Sequence, residues 1–290
     1  MSTSILFDAP GPKTVARHRL YSVIGLVFVL GVAAFFVWRL ADSDQFEYRK
    51  WEPFVSPVYL ETLLVDGLLE TLKMAFSAVI AAVVFGVILG IGKLSDHAWV
   101  RWPCWAVVEF WRAVPVLLVM ILVFYSWGID RGVSGAYWSV VFALTVYNGA
   151  VLAEVFRAGV LAVPKGQSEA AYALGMRKSQ VMWVVLLPQA VKIMLPAIIS
   201  QCVVALKDTS LGYAVAAPGL TFVGKQIYGD PDFGGNQVPT VFVLAVIYIV
   251  VNLLLTGVAT WVQKRFVGER KPLEVSMVTA VGTGATGGPL

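Results

Sequence analysis

Six long apolar blocks limit what this chain can become. The first, LYSVIGLVFVLGVAAFFVWRL at 20–40, has 21 residues. At ~1.5 Å per residue a helix of that length crosses a ~30 Å hydrocarbon core. The others cover about 67–92, 103–127, 137–162, 190–215 and 238–263. Each predicts a membrane-crossing helix. The expected fold is all-α: a polytopic membrane helix bundle of about six transmembrane helices. Composition agrees, because 14% of the residues are charged where a soluble domain carries about a quarter. The first block is too long for a cleaved signal, whose apolar run is ~7 to 15 residues, and it lacks a small-x-small exit. It reads as a first membrane helix, with Trp38 and Arg39 at its far interface.

Several chemistries are excluded early. A phosphate loop needs Gly, four residues, then Gly-Lys-Ser/Thr. The nearest approach, VILGIGKL, has Val87 and Leu94 at the deciding positions, so no ATP hydrolysis is expected in this chain. His18 and His97 stand apart on polar segments, and Cys104 and Cys202 lie in or beside apolar blocks. No metal site and no cofactor bound by this chain are expected, and the thiols read as buried and inert.

The cations set the orientation. Lys13, Arg17, Arg19, Lys93, Arg101, Arg157, Lys165, Arg177, Lys178, Lys192, Lys264, Arg265, Arg270 and Lys271 fall on one side of a six-span reading. Arg39, Arg49, Lys50, Arg131 and Lys225 fall on the other. By the positive-inside rule both termini and the Glu169 loop of this multi-pass protein are expected to be cytoplasmic. The net charge of +4 is distributed as membrane topology requires, so no nucleic acid is implied. Lipid is the expected surround. Gly86 and Gly90 on the second span have a small-xxx-small spacing that lets helices pack closely.

Charge inside a span costs at least ~2.5 to 3.5 kcal/mol on insertion scales and marks candidate function. Glu70 and Lys73, Glu109 and Arg112, and Glu154 and Arg157 are each three residues apart, so each pair shares a helix face and can self-neutralise. The bland reading is a set of intrahelical ion pairs. Arg112 is the more suggestive because Pro115 follows it, frees a backbone carbonyl and can kink the helix. Lys207, Asp208, Thr209 and Ser210 run consecutively, point around the whole helix, and supply hydroxyls suited to an amino acid's carboxylate and ammonium. Arg112, Glu154 and Lys207, Asp208, Thr209 and Ser210 are the candidate substrate path. A structural polar staple is the alternative.

Residues 164–190, PKGQSEAAYALGMRKSQVMWVVLLPQA, are the polar interval with its own helical pattern. Pro164 and Gly166 break the preceding span. Ser168 is expected to cap a helix, with Glu169 in its first turn, where a carboxylate suits the dipole. Ala170, Ala171 and Ala173 leave that helix almost free of bulk, and Gly175 ends or bends it. Ser179 can cap the next helix, which Pro188 is expected to interrupt.

These residues resemble the EAA loop of ABC-importer permeases: Glu-Ala-Ala, three free positions, Gly, nine free positions, Ile, one free position, Leu-Pro. The chain has Glu169, Ala170, Ala171, Gly175, Val185, Leu187 and Pro188, with Val185 the one departure. YNGAVLAEVFRAGVLAVPKGQSEAAYALG and LPQAVKIMLPAIISQCVVALKDTSL resemble the polar amino-acid uptake group that imports histidine, glutamine and glutamate. Gly67, Thr71 and Leu72 resemble its Gly-x-x-x-Thr-Leu segment. Arg112 and Pro115 match its Arg-Gly-Thr-Pro segment, but Ala113 and Val114 replace Gly and Thr. Actinobacterial glutamate-import permeases look most similar.

The resemblance implies a type I ABC importer transmembrane domain over residues 60–265, with a coupling loop at 163–189. Residues 1–19 become a cytoplasmic segment, and 266–290 a cytoplasmic tail, expected to be disordered. It implies alternating access by a permease dimer, homo- or heterodimeric, driven by a cytoplasmic ABC ATPase dimer that carries ATP and Mg. It further implies an extracytoplasmic amino-acid-binding protein. Gly166, Gln167, Glu169, Ala170, Ala171 and Gly175 would then contact the ATPase. A secondary amino-acid transporter or channel working without an ATPase is the alternative, and it has no use for an Ala-rich cytoplasmic helix.

Overall fold

The computed structural model describes residues 11–233 and 235–267. The far N-terminal segment and the Gly/Thr-rich tail beyond 267 lie outside them. Among the described residues the regular structure is entirely helical. Helix α1, Pro12–Asp42, starts well before its apolar block. No residue of its most apolar stretch is buried against the rest of the chain. Arg39 and Asp42 pair at its far end, 2.5 Å apart.

The second crossing begins earlier than expected. It runs from Pro57 through a π-helical segment, Thr62–Leu69, into α2, Glu70–Lys93. The following turn is only Leu94–His97, so Trp99, Arg101 and Trp102, expected in a loop, belong to α3, Ala98–Ala113. Val114 is extended at ψ 127°, as a residue before proline must be. Pro115 thus breaks the third crossing rather than merely kinking it, and α4, Val116–Val123, completes it.

Among the described residues, five helical runs are by length and composition apolar enough to cross a membrane. One of them, Val116–Leu161, has 46 residues and would be about 69 Å long if straight. It is not straight. Met120 and Leu144 share one buried cluster, and Gly132 takes a left-handed φ of 56° between them. The run therefore folds back there into α5, Gly132–Leu161, and the six expected crossings are recovered.

Helix α5 is the central strut. Val140, Ala143, Leu144, Ala150, Ala153 and Phe156 are buried along its length. Its contact with α2 relies on glycine. A Cβ on Gly86 would lie 2.8 Å from the Leu152 Cβ, and one on Gly90 would lie 3.1 Å from the Ala153 carbonyl oxygen. The small-residue face of α2 is inward. The large residues Phe76, Ile80, Val84 and Ile88, four apart, remain exposed and form the lipid-facing stripe.

Helix α6, Lys165–Ala173, follows α5. It starts four residues earlier than expected. Pro164 occupies the N-cap, the Ser168 hydroxyl donates to the Lys165 carbonyl at 2.8 Å, and no acidic residue lies in the first turn. Gly175 ends the helix at φ 75°. Its N–H reaches the Tyr172 carbonyl at 2.9 Å, and the Met176 N–H reaches that of Ala171 at 3.2 Å. That pair of bonds is a Schellman closure, which needs the left-handed residue that glycine supplies.

The next crossing starts at the short turn Lys178–Gln180 and passes through a π-helical segment, Val181–Leu186, into α7, Leu187–Asp208. Gln180, not Ser179, makes the cap, its Oε1 accepting the Arg177 N–H at 2.8 Å. Pro188 does not interrupt this crossing. It sits in the first turn after the wider π segment, and the helical backbone continues through it. A 3-10 stretch, Thr209–Val215, ends in left-handed Ala216.

A segment expected as a plain external loop contains α8, Leu220–Tyr228, which buries Leu220, Val223 and Ile227. The final crossing is α9, Gln237–Val267. Gly67 and Thr71 dock α8 onto the second crossing. The Thr71 Oγ1 accepts the Leu220 N–H at 2.8 Å and donates to the Gly67 carbonyl at 3.0 Å. A Cβ on Gly67 would lie 3.2 Å from the Leu220 Cα. The Gly-x-x-x-Thr spacing thus has a packing reason.

Candidate functional site: a charged cavity and an exposed helix

Three helices bring charge to one cavity of roughly 750 Å³. Lys93, at the end of α2, pairs with Glu154 on α5 and lies 3.6 Å from Glu109 on α3. Arg157 Nε is 2.9 Å from the second Glu154 oxygen, and Arg112 Nη1 is 3.4 Å from Glu109. The result is one chain of charge, Arg112–Glu109–Lys93–Glu154–Arg157. Arg101, Trp102 and Trp105 complete the wall, with the two indoles edge to face at a centroid separation of 5.7 Å.

The sequence signalled two separate i, i+3 pairs here. The structure joins them through Lys93. That lysine read only as a topology marker because it closes a span, and no local spacing ties it to Glu154, 61 residues away. Its side chain is 5% exposed, so it is a tethered charge. Four cations face two carboxylates around the cavity, which leaves it net positive and suited to an anionic group.

Arg112 and Glu154 therefore meet in one site. Lys207, Asp208, Thr209 and Ser210 do not line it. They stand at the other end of α7. The Lys207 side chain is 70% exposed, with its Nζ 4.0 Å from Asp208. Thr209 is buried and donates to the Leu206 carbonyl at 2.6 Å, while the Ser210 carbonyl accepts from the Thr221 hydroxyl at 3.4 Å. The Glu70–Lys73 pair forms at 2.7 Å, also away from the cavity.

A neutral polar contact was missed entirely. Gln201 Nε2 donates to the Asn148 Oδ1 at 2.5 Å, joining α7 to α5 inside the bundle. Asn148 is 1% exposed. Uncharged amides within apolar blocks are the signal for such interhelical bonds.

The second candidate surface is α6. Gly166, Gln167, Glu169 and Ala170 are exposed on it, and Gly175 is exposed at its end. Ala171 instead turns inward and is buried. Tyr172 and Leu174 are exposed, Leu174 at 83%. The bare Leu174 side chain, at the helix end beside a tight glycine turn, is a surface feature that alanine spacing alone did not reveal.

Comparison with known proteins finds relatives over most of the chain. The model for the family described as "Binding-protein-dependent transport system inner membrane component" matches residues 82–268. The glutamate transport system permease protein GluD of Corynebacterium glutamicum is 42% identical over 229 residues, covering 78% of this chain and 83% of that protein. The glutamate/aspartate import permease protein GltK of Escherichia coli is 31% identical over 210 residues, covering 70% and 92%. A solved amino acid ABC transporter with histidines superposes at a TM-score of 0.65 with 29% identity, covering 73% of this chain and 98% of the solved one. The inward-facing methionine transporter MetNI, at 24% identity and a TM-score of 0.64, shares the fold.

Proposed function

The chain belongs to the family of binding-protein-dependent transport system inner membrane components, and we propose that it forms the translocation path of an ATP-driven importer for a polar amino acid, glutamate foremost. It is a membrane-embedded permease subunit. Glutamate rests on the names of the two relatives and on the net positive cavity, which would take a second carboxylate. Glutamine and aspartate are the other candidates.

The observation that carries the ATP-driven reading is α6. It is a closed nine-residue helix with Gly166, Gln167, Glu169, Ala170 and Leu174 exposed and its end locked by Gly175. We place it in the cytoplasm with both termini, because the cations gather on that side of the bundle. There it would sit in a groove of an ATPase that carries ATP and Mg. Ala171 would support the helix from behind. A second permease subunit and an external binding protein complete the assembly. Arg112 and Glu154 would meet the cargo in the cavity, and Lys207, Asp208, Thr209 and Ser210 would meet it nearer the outer face.

The test is uptake against ATP hydrolysis in proteoliposomes holding the whole assembly. Glu169→Lys or Gly175→Asp should leave the protein in the membrane while uncoupling hydrolysis from uptake. Normal uptake in both variants would sink the coupling reading. If Arg112→Ala and Ser210→Ala both transport with unchanged affinity, the cargo path lies elsewhere. A carrier working alone would accumulate glutamate with no ATPase present.

A further inference from the structure

The turn between α2 and α3, Leu94–His97, is short, and it lies between two cations of the cavity wall. Lys93 comes immediately before it and Arg101 four residues after it. The turn is gripped from two directions. From the cavity side, Arg101 Nη1 donates to the carbonyls of Ser95 at 3.0 Å and Asp96 at 3.3 Å. From the α6 side comes Lys178. Its Nζ stands 2.5 Å from the Asp96 Oδ1 and donates to the Leu94 carbonyl at 3.5 Å.

Lys178 is well placed to transmit movement. It opens the short helical turn Lys178–Gln180 directly after the Gly175 closure, and the Gln180 cap fixes that turn. The contact to Leu94 joins residues 84 positions apart. Lys178 holds the Asp96 carboxyl below the usual carboxylate range, with smaller help from His97 and Arg101. Both side chains are substantially exposed, and an exposed pair contributes little to stability. Its consequence is positional: it sets the register between the segment after α6 and the end of α2.

We propose that Lys178 and Asp96 are positioning residues that carry displacement of α6 to the α2–α3 turn, and through it to Lys93 and Arg101 in the charged cavity. Helices α2 and α3 are stiff, so moving their shared turn moves both together. Lys93 is one residue from Leu94, and its ammonium stands between Glu154 on α5 and Glu109 on α3. A shift of the turn against α5 changes how Lys93 is divided between those two carboxylates. The cavity then has a direct link to the ATP cycle besides the crossings that flank α6. This rests on the reading of α6 as the ATPase contact.

The experiment measures glutamate imported per ATP hydrolysed, with the complete transporter in proteoliposomes. Lys178→Ala and Asp96→Ala should each lower that ratio by about fivefold or more, with thermal stability and ATPase association unchanged. The exchanged pair, Asp96→Lys with Lys178→Asp, should restore much of it, which a purely structural role would not predict. Single variants with the wild-type ratio would overturn the proposal, and so would an exchanged pair no better than the singles. Glu169→Lys is measured alongside. If it uncouples while the Lys178 and Asp96 variants do not, this proposal alone fails. If all three leave the ratio intact, the reading of α6 fails with it.

Discussion

Lys93 and Glu154 form an ion pair between α2 and α5, with the lysine side chain 5% exposed and the carboxylate shared with Arg157. Removing the lysine leaves Glu154 with one partner and Glu109 facing it without the intervening cation. Breaking a buried pair by deleting one member costs about 3 to 5 kcal/mol. We predict that Lys93→Met falls at or below the lower end, because Arg157 still satisfies Glu154 and Glu109 is partly solvated. Adding Glu154→Gln should recover part of the loss, since paired groups couple by about 0.5 to 3 kcal/mol. Thermal unfolding of the four proteins in detergent measures the cycle. Strict additivity would show that the pair does not act as a unit.

Close approach of α2 to α5 gives a second prediction. Gly86→Val must push Leu152 or the Gly149 carbonyl, which would lie 2.8 and 2.9 Å from the new Cβ. Overpacking of this kind costs about 1 to 3 kcal/mol. On the opposite face, Ile88→Val changes a side chain that is 61% exposed and should stay within about 0.5 kcal/mol. Comparing melting temperatures separates the two faces. An equal effect at both positions would refute the assignment of α2's inner and outer sides.

That contrast explains what could be read from the chain beforehand. Apolar length gave the crossings, because lipid forces each segment to satisfy its own backbone. It could not give the faces of α2, where Ala78 and Ala82 are as apolar as Ile80 and Val84; only residue size tells them apart. Pro115 signalled a kink, which proved to be a full break at Val114, and the closure at Gly175 was visible in the glycine itself. The start of α6 was misplaced because Ser168 has the right chemistry for a cap, yet Pro164 already preorganises the turn. Helix α8 was hidden by its length. Its Leu220, Val223 and Ile227 repeat only twice, and what holds it is Thr71, nearly 150 residues away. The cavity was half legible: each i, i+3 pair is local, whereas Lys93 joins them only through the fold.

Thr71 offers the third prediction. Thr71→Val removes the acceptor of the Leu220 N–H at a site where Thr71 is 1% exposed. A buried donor left unpaired costs about 1 to 3 kcal/mol. Thr71→Ser keeps the oxygen and should lose far less. Hydrogen exchange at the start of α8 is the direct readout. Equal protection in both variants would show that the hydroxyl is not what anchors this helix.

The last prediction concerns the end of α6. Gly175 holds φ 75° with open space around its missing Cβ, so a side chain would meet backbone strain rather than a clash. A non-glycine residue in the left-handed region costs roughly 1 to 2 kcal/mol, least for Asn. Because α6 is only nine residues long, a loss of that size should fray its last turn without unfolding the bundle. Gly175→Val should therefore expose the Tyr172 and Ala171 carbonyls, weaken ATPase retention during purification and leave the melting temperature of the membrane core unchanged. Gly175→Asn should fall between Gly175→Val and the unaltered protein. The order matters more than the size of either effect. Retention that tracked side-chain bulk instead, with Gly175→Ala close to wild type and Gly175→Asn as poor as Gly175→Val, would mean that the partner reads the surface at 175 rather than the turn.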